Sequence, residues 1–277
     1  MKPVIDNIPN AYVNESVYPE LFVYDLKMEE EAIKTKVNLN MHMFSFLQKG
    51  TKQVHFAEGS YVVDNSQSIL IAKGNCLWSE LLDTEETYYC KLLFFSEERL
   101  KTFLKKHKDQ NNVVTTSSCF VIENDAYIDS YLNSLNTIKE APKVFMENLL
   151  SVKFDELLLY LTNKYGQQFE NYLYSLIEKE SSPFKKVVES NVLSSLALEE
   201  IAFLCNMSLS TFKRNFIKEY QTSPGKWFRD QRLSKAKELL EDQHTKPSDI
   251  YLELGYNNLS NFSAAFKKKF KVSPSEI

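Results

Sequence analysis

Near its C-terminal end the chain carries one pattern twice, and this duplication constrains the fold more than any other feature. The first copy reads Ile201-Ala202-Phe203-Leu204-Cys205-Asn206-Met207-Ser208, followed by Phe212, Arg214, Phe216, Tyr220, Ser223 and Pro224. The second reads Ile250-Tyr251-Leu252-Glu253-Leu254-Gly255-Tyr256-Asn257, followed by Phe262, Ala264, Phe266, Phe270, Ser273 and Pro274. The offset is 49 up to the turn and 50 beyond it, so the second turn holds one more residue. Self-similarity at a fixed spacing marks a repeated structural unit.

Each copy predicts two short helices joined by a tight turn. Asn206 and Gly255 occupy the turn, and Asn and Gly reach the left-handed conformation at least cost. Ser208 then sits where a helix N-cap belongs, and Asn257 or Asn258 fills that place in the second copy. Beyond each cap, Phe212, Phe216 and Tyr220, then Phe262, Phe266 and Phe270, recur at helical spacing and form an inward stripe. The opposite face is polar and free to enter a major groove. Trp227–Glu241, with Phe228, Leu233, Ala236, Leu239 and Leu240 on one side, predicts the helix that joins the copies.

The outward residues have the chemistry of nucleic-acid contact. On the first recognition helix they are Ser210, Thr211, Lys213, Arg214 and Lys218. Arg grips guanine O6 and N7 with both arms, and Ser and Thr reach bases or phosphates. On the second they are Leu259, Ser260 and Asn261, with Lys267, Lys268 and Lys269 behind. Asn pairs with adenine and Leu meets a thymine methyl. Lysines give affinity through phosphate without sequence information. The predicted base contacts are therefore Ser210, Thr211, Lys213, Arg214, Leu259, Ser260 and Asn261. The predicted phosphate contacts are Lys218, Lys267, Lys268 and Lys269.

Taken together, Ala202, Met207-Ser208, Arg214-Asn215-Phe216, Ser223-Pro224, Arg232-Leu233, Ala236, Leu239-Leu240, Gly255-Tyr256, Ser260, Phe262, Phe266-Lys267-Lys268 and Ser273-Pro274 resemble the DNA-binding domain of the AraC/XylS family of bacterial transcription regulators. The resemblance covers roughly residues 182–277. It implies a bipartite domain of seven helices, with Ser210, Lys213 and Arg214, then Leu259, Ser260 and Ala264, facing bases. Ala264 stands where the family usually has Arg, and Tyr251 where it has a small residue. The second unit is thus expected to act mainly as a phosphate anchor. The usual final helix is expected to be nearly absent after Ser273-Pro274.

Charge follows the same division. From residue 182 onward there are 15 Lys or Arg against 11 Asp or Glu, while the remainder holds 18 against 26. A basic segment on an acidic partner fits a DNA reader with a separate regulatory part. Met1–Asn10 has no apolar core, and no apolar run approaches the length of a membrane helix, so a cytoplasmic chain is expected. Cys76, Cys90, Cys119 and Cys205 lack metal-ligand spacing and are expected to be reduced and buried.

Residues 1–95 read as short strands: 21–24, 43–47, 53–56, 61–63, 69–71 and 89–95, with Gly50, Gly59 and Gly74 at turns. Such a series predicts a small barrel or jelly roll. Phe46–Gly74 resembles the cupin-like regulatory domain common in the AraC/XylS family. His42 and His55 are isolated, so no metal and no cofactor are expected. Phe44, Phe46, Phe56, Tyr61 and Trp78 are candidate liners of a small-ligand pocket, or plain core. Helices are predicted at Ser96–His107, Asn124–Ile138 and Pro142–Tyr165. The stripe Leu150, Phe154, Leu157 and Leu161 is either a homodimer surface or the face that packs on the barrel.

The expected architecture is α+β: a cupin-like β-barrel (1–95) with helices (96–175), a linker (176–184), and an all-α domain with two helix-turn-helix units (185–277). The expected function is sequence-specific transcription regulation by activation. Double-stranded DNA and RNA polymerase are the expected partners, with a small ligand or protein as effector and a homodimer as assembly. No nucleophile, base and orienting group share a catalytic spacing, so no enzyme is expected. The alternative is a cupin-type enzyme carrying a DNA-binding tail.

Overall fold

The computed structural model describes residues 5–12, 19–107, 117–138, 142–177, 184–194, 196–241 and 245–277. Two compact units emerge, one made of residues 1–56 and 60–181, the other of 57–59 and 182–277. The predicted linker lies mostly outside the described residues.

The first unit runs β1 (Ile5–Ile8), β2 (Leu21–Met28), β3 (Ala32–Leu39), β4 (His42–Lys49), β5 (Thr51–Phe56), β6 (Gly59–Val63), β7 (Gln67–Ile71), β8 (Gly74–Leu81), β9 (Tyr88–Phe95), α1 (Glu97–His107), β10 (Cys119–Glu123), α2 (Ala126–Ile138), α3 (Lys143–Tyr165) and α4 (Gln167–Ile177). The strands form two five-stranded sheets, β1-β3-β8-β5-β6 and β10-β7-β4-β9-β2. This corrects the expectation of a closed barrel: among the described residues the sheets stay separate, and their inward faces make the core between them. Strand β10 lies between the first two expected helices, where no strand was expected, and pairs antiparallel with β7.

Strand alternation decides which residues meet. Met43, Leu47, Ile69, Ile71, Leu92 and Phe94 of the second sheet join Val37, Val54, Phe56, Cys76 and Trp78 of the first in one core. Their neighbours Phe44, Phe46, Leu70, Leu93 and Phe95 point the other way, into a second core completed by α1–α4. The second sheet is therefore buried on both faces. Each wholly buried large apolar side chain contributes roughly 1.5–3 kcal/mol.

The five aromatic residues proposed as pocket liners do not surround one space. Phe44 and Phe46 lie under the helices, with ring centroids 5.6 Å apart. Phe56 and Trp78 lie between the sheets, and half-buried Tyr61 packs edge-on against Phe56. The α3 stripe is also resolved: Phe154, Leu157 and Leu161 are wholly buried and Leu150 nearly so, all against the unit's own sheet and helices. As a partner surface it is corrected, because no free apolar face remains on that side. The outer line of α3 instead exposes Phe145, Val152 and Leu159.

One charged pair stands out in the core between the sheets. Lys52 and Glu80 are directly opposed across β5 and β8. The Lys52 Nζ donates to Glu80 Oε1 at 2.8 Å and to the Tyr88 hydroxyl at 3.4 Å, and lies 4.0 Å from the Trp78 ring centre. Both side chains are almost wholly removed from water. His42 and His55 are buried too, and His42 Nδ1 accepts from the Lys73 backbone N–H at 3.1 Å. Cys76, Cys90 and Cys119 lie in the interior and form no disulfide among the described residues. Among the described residues, no helix is long and apolar enough to cross a membrane, and no three His, Cys, Asp or Glu gather where they could hold a metal ion.

Candidate nucleic-acid interface

The second unit runs α5 (Phe184–Ser190), α6 (Leu198–Leu204), α7 (Leu209–Tyr220), α8 (Pro224–Leu240), α9 (Pro247–Ile250) and α10 (Leu259–Phe270), and ends in a single tight turn at Pro274–Glu276. The sequence duplication is a duplication of backbone. At the first turn Asn206 has φ 57, and the Asn206 and Met207 amides donate to the carbonyls of Phe203 and Ala202. At the second, Gly255 has φ 79, and the Gly255 and Tyr256 amides donate to Leu252 and Tyr251. These bonds satisfy carbonyls that a helix end leaves open.

The caps repeat as well. Ser208 Oγ accepts from the Thr211 amide at 3.2 Å, and Asn258 Oδ1 from the Asn261 amide at 2.8 Å. Asn258 rather than Asn257 is therefore the second cap, which leaves Asn257 as the extra turn residue. Helices α7 and α10 have 12 residues each and end on a left-handed residue, Gln221 or Lys271.

Helix α8 serves both halves. Its Phe228 packs with Phe216 and Trp227 in the first half. Its Leu233, Ala236 and Leu240 pack with Ile250, Leu254, Phe262 and Phe266 in the second. Arg232, which sequence reasoning gave no physical role, ties α8 down by donating to the carbonyls of Val192 and Ser194, each at 2.8 Å. A Cβ on Gly255 would stand 2.6 Å from Arg232 Nη1, at a backbone angle that side chains avoid. Gly255→Ala is expected to lower the stability of this unit by about 1–2 kcal/mol, read as a drop in its thermal midpoint.

The outward faces are as follows. Ser210, Lys213, Arg214 and Lys218 are exposed on α7, and Lys213 and Arg214 make no ion pair among the described residues. Thr211 is half-buried, and its hydroxyl accepts from Ser208 Oγ at 3.0 Å, so it supports the cap. On α10, Leu259, Ser260, Asn261, Ala264, Lys267 and Lys268 are exposed. Lys269 is not with them. Its ammonium donates to the Asp230 carbonyl and to Ser234 Oγ on α8, and its burial lowers the proton affinity. The lysine run read as one phosphate-facing strip thus divides, because a helix turns 100° per residue. Sequence reading also passed over Ile217, an exposed apolar residue on the α7 face. Cys205 beside the first turn is pushed by burial up to about 12, which keeps its thiol protonated and unreactive.

Comparison with known proteins places both units. Residues 42–172 match the family described as ExsA N-terminal regulatory domain, and residues 201–277 the one described as Helix-turn-helix domain. The two matched regions are those of AraC-type regulators. Among AraC-family relatives, the chain is 30% identical over 133 residues to the virulence regulon transcriptional activator VirF of Yersinia enterocolitica, covering 48% of this chain and 49% of that protein. It is 27% identical over 128 residues to the HTH-type transcriptional regulator ExsA of Pseudomonas aeruginosa, covering 46% of each. The matched stretch spans about half the length of these relatives. Among solved structures, ToxT from Vibrio cholerae aligns over 93% of this chain and 97% of its own, at 15% identity and a TM-score of 0.42. The second match is to the helix-turn-helix domain of AraC-type transcription regulators.

Proposed function

We propose that this AraC-type chain is a transcription activator that reads DNA with two helix-turn-helix units on one rigid frame. The observation that carries this reading is the recurrence of the turn at a 49-residue offset and of cap, 12-residue helix and left-handed end at a 50-residue offset, each copy with a polar outward face. Helix α8, packed into both halves, holds the two outward helices at one spacing. That suits successive major-groove segments about 10 bp apart. Ser210, Lys213 and Arg214 read bases in the first half, and Leu259, Ser260 and Asn261 in the second. Lys218, Lys267 and Lys268 hold phosphate. Thr211 and Lys269 serve the fold.

The name of the VirF relative supports activation, with RNA polymerase as the partner an activator needs. The regulatory-domain match supports control through the first unit. Because Phe44, Phe46, Phe56 and Trp78 are spent on two packed cores, a protein effector fits better than a small ligand. Assembly as a homodimer falls to the outer line of α3. There Phe145, Val152 and Leu159 recur every seventh residue, the period of a helix–helix seam. An antiparallel pair centred on Val152 sets Phe145 of one copy against Leu159 of the other. Val152→Glu is expected to convert dimer to monomer in sedimentation while leaving the thermal midpoint unchanged.

The test of function is selection from a random duplex library at near-physiological salt. Enrichment of paired half-sites about one helical turn apart supports two reading heads, and enrichment of one half-site makes the second unit an anchor only. A uniform pool contradicts sequence-specific reading. Lys268→Ala is expected to weaken all sequences about equally and to reduce the salt slope by about one, measured by titration at several salt concentrations.

A further inference from the structure

The two outward faces differ in one respect that charge and hydroxyl chemistry do not explain. At 3.6 residues per turn, Ser210, Arg214 and Ile217 fall along one line of α7, with Lys213 beside it. Ile217 is 50% exposed at the middle of this polar and basic face. The helix is held from the other side by Phe212, Phe216 and Tyr220 through Phe184 and Trp227. At the matching register of α10 stands Lys267, equally outward. At this register the two faces therefore differ, with an aliphatic side chain on α7 and a cation on α10.

Position narrows what the aliphatic group meets. A helical side chain leans toward the turn N-terminal to its own Cα, which carries the Ile217 methyls back toward Lys213 and Arg214. From Ser210 to Ile217 the helix rises ~10 Å, about three base steps. Within that reach the major groove offers one apolar group, the C5-methyl of thymine.

We propose that Ile217 is a specificity residue that reads a thymine methyl beside the base gripped by Arg214. This rests on the DNA-reading function proposed above. The test uses the full chain and its selected site, with each thymine of the first half-site replaced singly by deoxyuridine, which lacks only the methyl. At one position uracil weakens the unaltered chain about fourfold, the effect of one buried methyl. In Ile217→Ala that position becomes insensitive to uracil, while other positions and the thermal midpoint are unchanged. Uracil without effect at every position overturns the assignment, as does a sensitivity that persists in Ile217→Ala. Unchanged binding by Ile217→Ala with reduced transcription in vitro also overturns it, and shows instead a surface for polymerase. Absence of any preferred site in the unaltered chain is a separate result, which removes the DNA-reading function itself.

Discussion

Cutting Glu80 back to alanine is expected to destabilise the first unit by about 3–5 kcal/mol, because Lys52 is left without its counter-ion between the sheets. The pair lies in register across β5 and β8, and the 2.8 Å contact is removed from water. Burying both charges is costly in itself, so the pair need not add net stability. The asymmetry is the informative part. Replacing both partners with apolar residues, as in Lys52→Met with Glu80→Leu, is expected to leave stability near its starting value or above it. Chemical denaturation of the single and double variants measures both numbers. A Glu80→Ala loss below about 1 kcal/mol contradicts the burial argument, because exposed pairs behave that way.

The second large effect is on recognition. Arg214→Ala is expected to cost about 1–3 kcal/mol of binding to the selected site and to relax the preference at one base. Arg214 is exposed, without an ion-pair partner among the described residues, and one turn beyond Ser210 on the outward line of α7. Its loss therefore leaves the fold intact, and a melting curve that matches the parent confirms that binding alone has changed. Arg214→Lys is expected to recover affinity more than preference, because a lysine supplies the charge without the two-armed fork. A variant that binds weakly but keeps the preference at every base would reassign Arg214 to phosphate.

These residues show why one half of the chain was more legible in the sequence than the other. In the second unit every decisive element is local. A turn needs a left-handed residue, a cap needs an oxygen three residues before an amide, and a stripe needs helical spacing. Asn206, Gly255, Ser208 and the phenylalanines satisfy these rules within a few residues of one another, so turns, first cap and stripes were readable. Only the choice of Asn258 over Asn257 needed the backbone.

In the first unit the decisive relations are distant. Strand β10 pairs with β7 across an intervening helix, and its five residues alone do not separate a strand from a buried helix turn. The strands β3 and β8 escaped notice because lysines and polar residues interrupt their apolar pattern. Alternation shows that Phe44 and Phe46 share a face of β4, but not that this face meets helices while Phe56 and Trp78 meet the other sheet. The stripe of α3 poses the same problem, since spacing marks an apolar face without naming what covers it. Lys269 is a smaller instance: three lysines in a row read as one strip, yet the helix turns the last one onto α8.

The central claim is that two reading heads sit at a spacing set by α8. The measurement that tests it most directly is the affinity of the full chain for its selected site after five base pairs are inserted between the half-sites. A half-turn insertion places the second half-site on the opposite side of the duplex. The account predicts that affinity falls to that of a single half-site, and that Lys268→Ala no longer weakens binding as it does on the parent site. Affinity unchanged by the insertion contradicts it.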